Sequence, residues 1–451
     1  MTPKKFLPFY ESSGLCTDSR LIKKDNLFVC INGDNFDANR FAQSALDKGA
    51  SHIIVDNPDY FNSQKEMTLV ENSIKYLQEL ANFHRKQFDI PIIGITGSNG
   101  KTTSKELLNA VLSKKFNVLA TEGNLNNHLG VPFTLLRMKE MHDIAIIEMG
   151  ANKFGDIQEL SEIAEPNYGI ITNIGKAHLQ GFLNFDGVLK TKTELYRFVE
   201  STGGRLFINA EDPVLMNNAP KNVELIKFGQ NSKNIEGDLV NLTPFIEMKW
   251  SIRDYSSPTL KTNLVGKYNF TNYLAAIAIG THFGVPNDLI NEAISEYIPT
   301  NNRSQVKETG RNTLIMDCYN ANPTSMKSAL ESFAEIDHND KLAILGDMKE
   351  LGVESIKEHQ AIINQLNEYN LPYILVGPEF NQLEAKNSIG LFMDTEDLNK
   401  FLKEKIVINK LILLKGSRGI GLEKASHLLY CLLYTSPSPR DRTRSRMPSS
   451  A

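Results

Sequence analysis

Ile92-Ile-Gly-Ile-Thr96-Gly97-Ser98-Asn99-Gly100-Lys101-Thr102-Thr103 is the stretch from which the rest of the chain can be read. A short apolar run that meets glycines at once reads as a buried strand entering a tight turn. Beyond the turn, Leu107, Leu108, Val111 and Leu112 fall on one face of a helix. Strand, glycine-rich turn and helix N-terminus together make the context of a phosphate-binding loop. Glycines let backbone N–H groups close round phosphate oxygens, and the helix end adds its partial positive charge. Lys101 suits the β- and γ-phosphates, and the Thr102 hydroxyl suits Mg²⁺. The spacing is shorter than the general GxxxxGK[ST] form, since Ile95 stands where the first glycine would fall.

Outward from the loop, apolar runs alternate with helical stretches. Ile90–Ile95, Ile144–Ile147, Tyr168–Ile171 and Leu206–Ile208 predict a mainly parallel sheet covered on both faces. Before it, Leu27–Ile31 and His52–Val55 surround a helical stretch, Phe41–Lys48, closed by Gly49. Helical spacing of Ile74, Leu77, Leu80 and Ala81 predicts a connector into the centre. Past Pro299, Thr313–Met316, Leu342–Leu345, Tyr373–Val376 and Leu411–Leu414 are again strands between helices. The expected division is an N-terminal α/β module at 1–88, a central domain at 89–298 and a Rossmann-like domain at 299–430. Residues 431–451, rich in Ser, Pro and Arg, are expected to lie outside the fold as read-through or appended sequence, with the natural end replaced near Leu429.

Composition narrows the function. With 451 residues, 41% of them hydrophobic, the chain can bury several cores, and its net charge of −4 argues against a nucleic-acid partner. Its one basic cluster, Arg440, Arg442, Arg444 and Arg446, belongs to the tail. Cys16, Cys30, Cys318 and Cys431 form no CxxC and read as small core residues of a reducing compartment. No signal sequence or membrane span is visible, so a cytoplasmic protein with no membrane partner is expected.

Candidate chemistry sits at strand ends, where ligands of open α/β sheets collect. Glu148 closes the Ile144–Ile147 run and should face a nucleotide-bound Mg²⁺; Thr172-Asn-Ile-Gly-Lys-Ala-His178 puts a histidine at the same rim. Taken singly, a strand-end carboxylate is often a solvated charge, and a single histidine is more often structural than a ligand. Their order along the chain carries the resemblance described next.

The short TGxxGKTT loop at Thr96–Thr103 resembles that of the Mur ligase and folylpolyglutamate synthetase superfamily, and the chain as a whole resembles the Mur ligases from about residue 15 to 428. The His178 phrase is similar to that family's TNIG-x-AH, which implies a second metal ion. Lys190-Thr-Lys192-Thr-Glu194-Leu195 resembles AKxEL, which implies that Lys192 is carbamylated by CO₂ and helps to hold that ion. The implied metal set is Thr102, Glu148, His178 and carbamylated Lys192, with two Mg²⁺. Gly266-Lys-Tyr-Asn269-Phe-Thr-Asn272 resembles G-x-HN-xx-N, with Tyr268 in place of the histidine, and implies that Asn269 and Asn272 reach the adenine or its surroundings. Arg303 resembles the arginine that moves onto the phosphates when the domains close.

Asp317-Cys-Tyr319-Asn320-Ala-Asn322-Pro323 resembles D-x-YNANP of the branch that adds D-alanyl-D-alanine, with Asp317 at the ribose and Tyr319 and Asn320 near the base. Lys415-Gly-Ser417-Arg418 resembles the KGSR loop, near the peptide or the incoming dipeptide carboxylate, which an arginine fork suits. Thr17-Asp18-Ser19-Arg20 and Asn35–Phe41 resemble uridine-binding elements, the latter departing from the usual DGHxF. Asn124, Asn126 and Asn127 fall in a T-x-GN-x-NN segment that contacts substrate, and Leu345–Gly352 resembles a segment that organises the third domain. The resemblance therefore implies a monomeric ATP-dependent ligase that couples UDP-N-acetylmuramoyl-tripeptide to D-alanyl-D-alanine. The competing readings are a branch that adds a single amino acid, a folylpolyglutamate synthetase, and a nucleotide-binding protein without turnover.

Overall fold

Apolar runs bounded by glycines and helix caps become the inner strands of two parallel sheets. The computed structural model describes residues 2–33, 36–232, 234–242 and 244–430; Asn35, Cys431 and the 431–451 tail lie outside them. The chain forms two units: Met1–Val240 with Glu247–Thr262 and Tyr268–Tyr297, and Asn241–Ile246 with Asn263–Lys267 and Ile298–Ala451.

The first unit begins with a small parallel sheet in the order Leu15–Cys16, Leu27–Val29, His52–Val55, Met67–Leu69. Side chains alternate between its faces, so Phe28, Ile53 and Val55 pack with the Ala42–Asp47 helix, while Leu27, Val29 and Ile54 pack with Phe6, Tyr76 and Leu80. Tyr76 and Leu80 come from the connector helix Ser73–Arg85, whose first turn is capped by Asn72 accepting from the Lys75 amide.

The larger sheet places six strands in the order Val118–Ala120, Ile144–Glu148, Ile92–Thr96, Tyr168–Ile171, Arg205–Asn209 and Glu224–Gly229, all parallel. Every residue of Ile92–Thr96 and Ile144–Glu148 is buried, which explains their unbroken apolar runs. The chain leaves Ile92–Thr96 for one flank, fills the gap with Ile144–Glu148, then crosses to Tyr168–Ile171 on the other flank. Such a reversal opens a crevice at the carboxyl ends of the strands. Register puts Ile95 beside Glu148 and Thr96 beside Ile171, so the two rims that flank the phosphate loop are level.

The second unit repeats the logic with a sheet in the order Gln305–Glu308, Thr313–Asp317, Leu411–Lys415, Lys341–Gly346, Tyr373–Val376, Gly390–Phe392. Only the first pair is antiparallel. Asp317 and Lys415 are register partners at the carboxyl edge. Cys16, Cys30 and Cys318 are free thiols, and burial pushes those of Cys30 and Cys318 up to about 12. Among the described residues no helix is long and apolar enough to cross a membrane.

Candidate active site

The loop Gly97–Gly100 turns between the Ile92–Thr96 strand and the Lys101–Leu112 helix. Gly97 (φ +144°) and Gly100 (φ +79°) adopt backbone that favours glycine. A Cβ on Gly97 would lie 2.0 Å from Thr172 Oγ1, and one on Gly100 would lie 3.0 Å from Asn272 Oδ1. The neighbouring strand end braces the turn. Ser98 N donates to Asn173 O (2.9 Å) and Asn99 N to Asn173 Oδ1 (3.0 Å), while Thr172 Oγ1 donates to Asn99 O (2.5 Å). Asn173 belongs to the strand-end phrase that ends at His178, so the same segment both shapes the phosphate loop and carries the histidine. Lys101 Nζ donates to Gly97 O at 2.6 Å, which folds its ammonium over the loop.

Glu148, 1% exposed, lies beside Thr102: its Oε1 accepts from Thr102 Oγ1 (3.2 Å) and from Asn126 Nδ2 (2.8 Å). Its Oε2 is buried and accepts no hydrogen bond. A buried carboxylate oxygen without a partner is costly unless something positive completes it. Together with the Thr102 hydroxyl it is an all-oxygen donor set suited to Mg²⁺. The residues present therefore fit the ion implied by the sequence. Among the described residues, no three of His, Cys, Asp and Glu converge to form a self-sufficient metal cage.

His178 precedes the short helix Leu179–Phe182 with left-handed backbone (φ 51°, ψ 39°), a conformation that non-glycine residues adopt mainly where their surroundings impose it. Phe182, fully buried, links it to Lys192: the His178 and Phe182 rings are 6.4 Å apart, and Lys192 Nζ lies 5.9 Å from the Phe182 ring centre. Lys192 ends the helix Phe185–Lys192 and is 2% exposed. Burial pushes its amine well below the ordinary lysine range and Lys101 pushes the same way, against Asp156, Glu194 and Glu148. Glu194, two residues on, accepts from Gly155 N (3.2 Å) and Gln158 N (2.9 Å), so the junction after Lys192 is tied to the start of the Asp156–Ala164 helix.

Asn269 and Asn272 are buried on the helix Tyr268–His282 behind the phosphate loop. Asn272 Oδ1 accepts from Ser104 Oγ (3.1 Å), and its amide donates to Asn269 Oδ1 (2.9 Å). These bonds brace Gly100 and the helix start. In the asparagine segment, Asn126 reaches Glu148, whereas Asn127 Oδ1 accepts from Leu129 N and Gly130 N at the start of the Gly130–Leu135 helix. Ser19 and Arg20 bond within the N-terminal module. Arg20 forks onto Asp18 (2.7–3.2 Å), whose carboxyl it holds down at about 2, and Ser19 O accepts from Lys48.

In the second unit the Arg303 guanidinium stacks 3.7 Å from the Tyr319 ring centre, with that of Arg418 at 5.6 Å. Asp317 Oδ2 accepts from Lys415 Nζ at 2.5 Å, and Lys415 is 2% exposed. Ser417 Oγ accepts from Lys349 N (2.9 Å) and donates to Ala321 O (3.4 Å), while its amide donates to Asp347 O (3.1 Å). Ser417 therefore joins three loops at the carboxyl edge of the sheet. Asn320 Oδ1 accepts from Ala321 N, and Arg418 is exposed. Sequence reasoning missed Phe182, Asn173 and Asp347. Asn173 and Asp347 each carried a signal, their places in the Thr172–His178 phrase and the Leu345–Gly352 segment; Phe182 carried none.

Two family models match: the Mur ligase middle domain over residues 95–280 and the Mur ligase glutamate ligase domain over residues 302–418. A relative from Bacillus subtilis, UDP-N-acetylmuramoyl-tripeptide–D-alanyl-D-alanine ligase, is 32% identical over 435 residues, covering 92% of this chain and 93% of the relative. Among solved structures, MurF from Acinetobacter baumannii aligns with a TM-score of 0.84 at 29% identity, covering 92% of this chain and 93% of that one. The MurF ligase from Thermotoga maritima in complex with ADP aligns with a TM-score of 0.85 at 25% identity, over 95% and 98% of the two chains.

Proposed function

The chain belongs to the Mur ligase family, and from that premise we propose how its residues join D-alanyl-D-alanine to UDP-N-acetylmuramoyl-tripeptide. It is an ATP-dependent ligase of peptidoglycan precursor synthesis that forms a C–N bond. In the proposed sequence the terminal carboxylate of the tripeptide attacks the γ-phosphorus, and the bond to the β–γ bridging oxygen breaks as ADP leaves. The dipeptide amine then attacks the acyl carbon, phosphate departs and the amine proton goes to solvent or phosphate. Lys101, at the mouth of the Gly97–Thr103 loop, steadies the charge that spreads over the transferring phosphoryl group. Thr102 and Glu148 would hold one Mg²⁺, and His178 with carbamylated Lys192 a second; when bound, such ions would supply charge neutralisation at the phosphate oxygens.

The observation that carries the reading is the partnerless Glu148 Oε2 beside Thr102 at a loop built for phosphate. The carbamate is supported by the burial of Lys192, which disfavours its ammonium and so favours the amine form that adds to CO₂, forming an N–C bond and releasing a proton. Ser19 and Arg20 would meet the uridine end, Asn124 and Asn126 the muramoyl peptide, Arg303 the phosphates, and Asp317, Tyr319 and Asn320 the ribose and base. Of Lys415, Ser417 and Arg418, only Arg418 is exposed, so it is the fork for the dipeptide carboxylate. We take the working form as a cytoplasmic monomer, where ATP and nucleotide-linked sugars are made.

The test is ATP-dependent phosphate release on a panel of acceptors. Release is expected with UDP-N-acetylmuramoyl-tripeptide plus D-alanyl-D-alanine. Release only with a single amino acid or with a folate would overturn the reading.

A further inference from the structure

Two cations grip the root of the asparagine segment, and neither belongs to a motif named above. Lys105 lies one turn beyond Lys101 on the phosphate-loop helix and is 2% exposed. An ammonium this deep is unfavourable unless its donors are met. Its Nζ donates to Thr121 O at 2.7 Å and pairs with Glu106 at 2.8 Å. Arg137 follows the Gly130–Leu135 helix. It donates through Nη2 to the preceding carbonyl, Ala120 O, at 2.9 Å, and pairs through Nη1 with Glu122.

Consecutive carbonyls at the end of the edge strand Val118–Ala120 are thus held by one cation on a helix and one from the turn after another. Water could satisfy outward carbonyls on an edge strand. Drawing in a lysine and an arginine has a use where the position of those carbonyls matters, and here it does. The Thr121 hydroxyl accepts from Glu148 N at 2.9 Å, and its amide donates to Ile146 O at 3.0 Å. Five residues later Asn126 reaches Glu148 Oε1, and Thr102, on the same helix as Lys105, meets the same oxygen. Helix, loop and carboxylate form a closed ring of bonds.

We propose that Lys105 and Arg137 are positioning residues that set the 121–127 loop at a fixed distance from Glu148, and so present the muramoyl peptide to the phosphoryl group. The inference rests on the reading of that loop as the peptide-binding element.

The experiment uses the full chain carrying Lys105→Met or Arg137→Met, with each substrate varied in steady-state ligation. Sub-ångström misplacement of a substrate-holding element should raise the KM for the UDP-tripeptide about 10-fold, while the KM for ATP stays within about twofold. Lys105→Arg and Arg137→Lys should recover part of the loss. Hydrogen exchange should rise in residues 119–130 and stay unchanged in residues 97–104. An unchanged tripeptide KM in folded variants, an equal rise for ATP, or exchange that rises in both segments would overturn the proposal. Should Lys105→Met fail to fold, Arg137→Met decides alone, because the Arg137 side chain is 35% exposed. If the wild-type chain does not ligate these substrates, the functional reading fails, and the exchange pattern still tests the clamp.

Discussion

At the tip of the Ile144–Glu148 strand a carboxylate oxygen is buried with nothing to accept, whereas at the tip of Thr313–Asp317 the carboxylate is bonded at 2.5 Å to a buried lysine. Both positions close a parallel strand and both were marked by sequence motifs. The first unit holds acceptor capacity in reserve, which destabilises the isolated fold and prepares it for a cation. The second unit commits its charges to one another: Lys415 to Asp317, Ser417 to the loops at Ala321, Asp347 and Lys349. Beside them lie the half-buried Arg303–Tyr319 stack and the exposed Arg418. One rim is built to bind charge, the other to present a rigid surface.

The sharpest way to break this contrast is at Glu148 and Lys101. Glu148→Gln and Lys101→Met should each lower kcat about 10³-fold, the scale for removing a preorganised charge at a transferring group, with the protein still folded by circular dichroism. Glu148→Gln should also raise the thermal midpoint without nucleotide, since the uncompensated charge is gone; a lowered midpoint would show that the carboxylate is already satisfied.

Lys192 comes next. Lys192→Ala should abolish ligation, and short carboxylates should restore part of it; wild-type phosphate release in that variant would remove the carbamate. Its depressed pKa also has a sign in stability. Between that value and the ordinary 10.5, the unfolded chain holds a proton that the folded chain lacks, so stability rises with pH across that window. Lys192→Met should flatten the slope in melts recorded in CO₂-free buffer.

In the second unit the effects should fall on stability. Asp317→Asn strands a buried ammonium and should cost about 3 kcal/mol, read as a lowered thermal midpoint. The double variant Asp317→Asn with Lys415→Met should regain most of it. No recovery would mean that the two residues act separately. The smallest effect is Arg303→Lys, which keeps the charge and loses the planar stack; a shift of about 0.5–1 kcal/mol, or a few-fold in the KM for ATP, is expected.

Strand positions and the phosphate loop were legible because their signals are local. The apolar run of Ile144–Ile147 and the forced glycines at Gly97 and Gly100 state their requirement within a few residues. Glu148, His178 and Lys192 were legible only through the order of motifs. Nothing in the spacing says that Phe182 packs against both His178 and Lys192. Nor does Lys105, written as an ordinary helix lysine, announce that it is buried against Thr121 O.

By itself the amino-acid order determined which segments become buried strands, where the chain must turn through left-handed backbone, and which side chains stand at strand ends. Tertiary structure alone decided which of those polar groups are consumed by one another and which remain for a ligand. Hydrophobic periodicity and glycine act through the nearest residues. Hydrogen-bond partners such as Asn126 with Glu148, or Lys415 with Asp317, are fixed only when strands distant in sequence are brought into register.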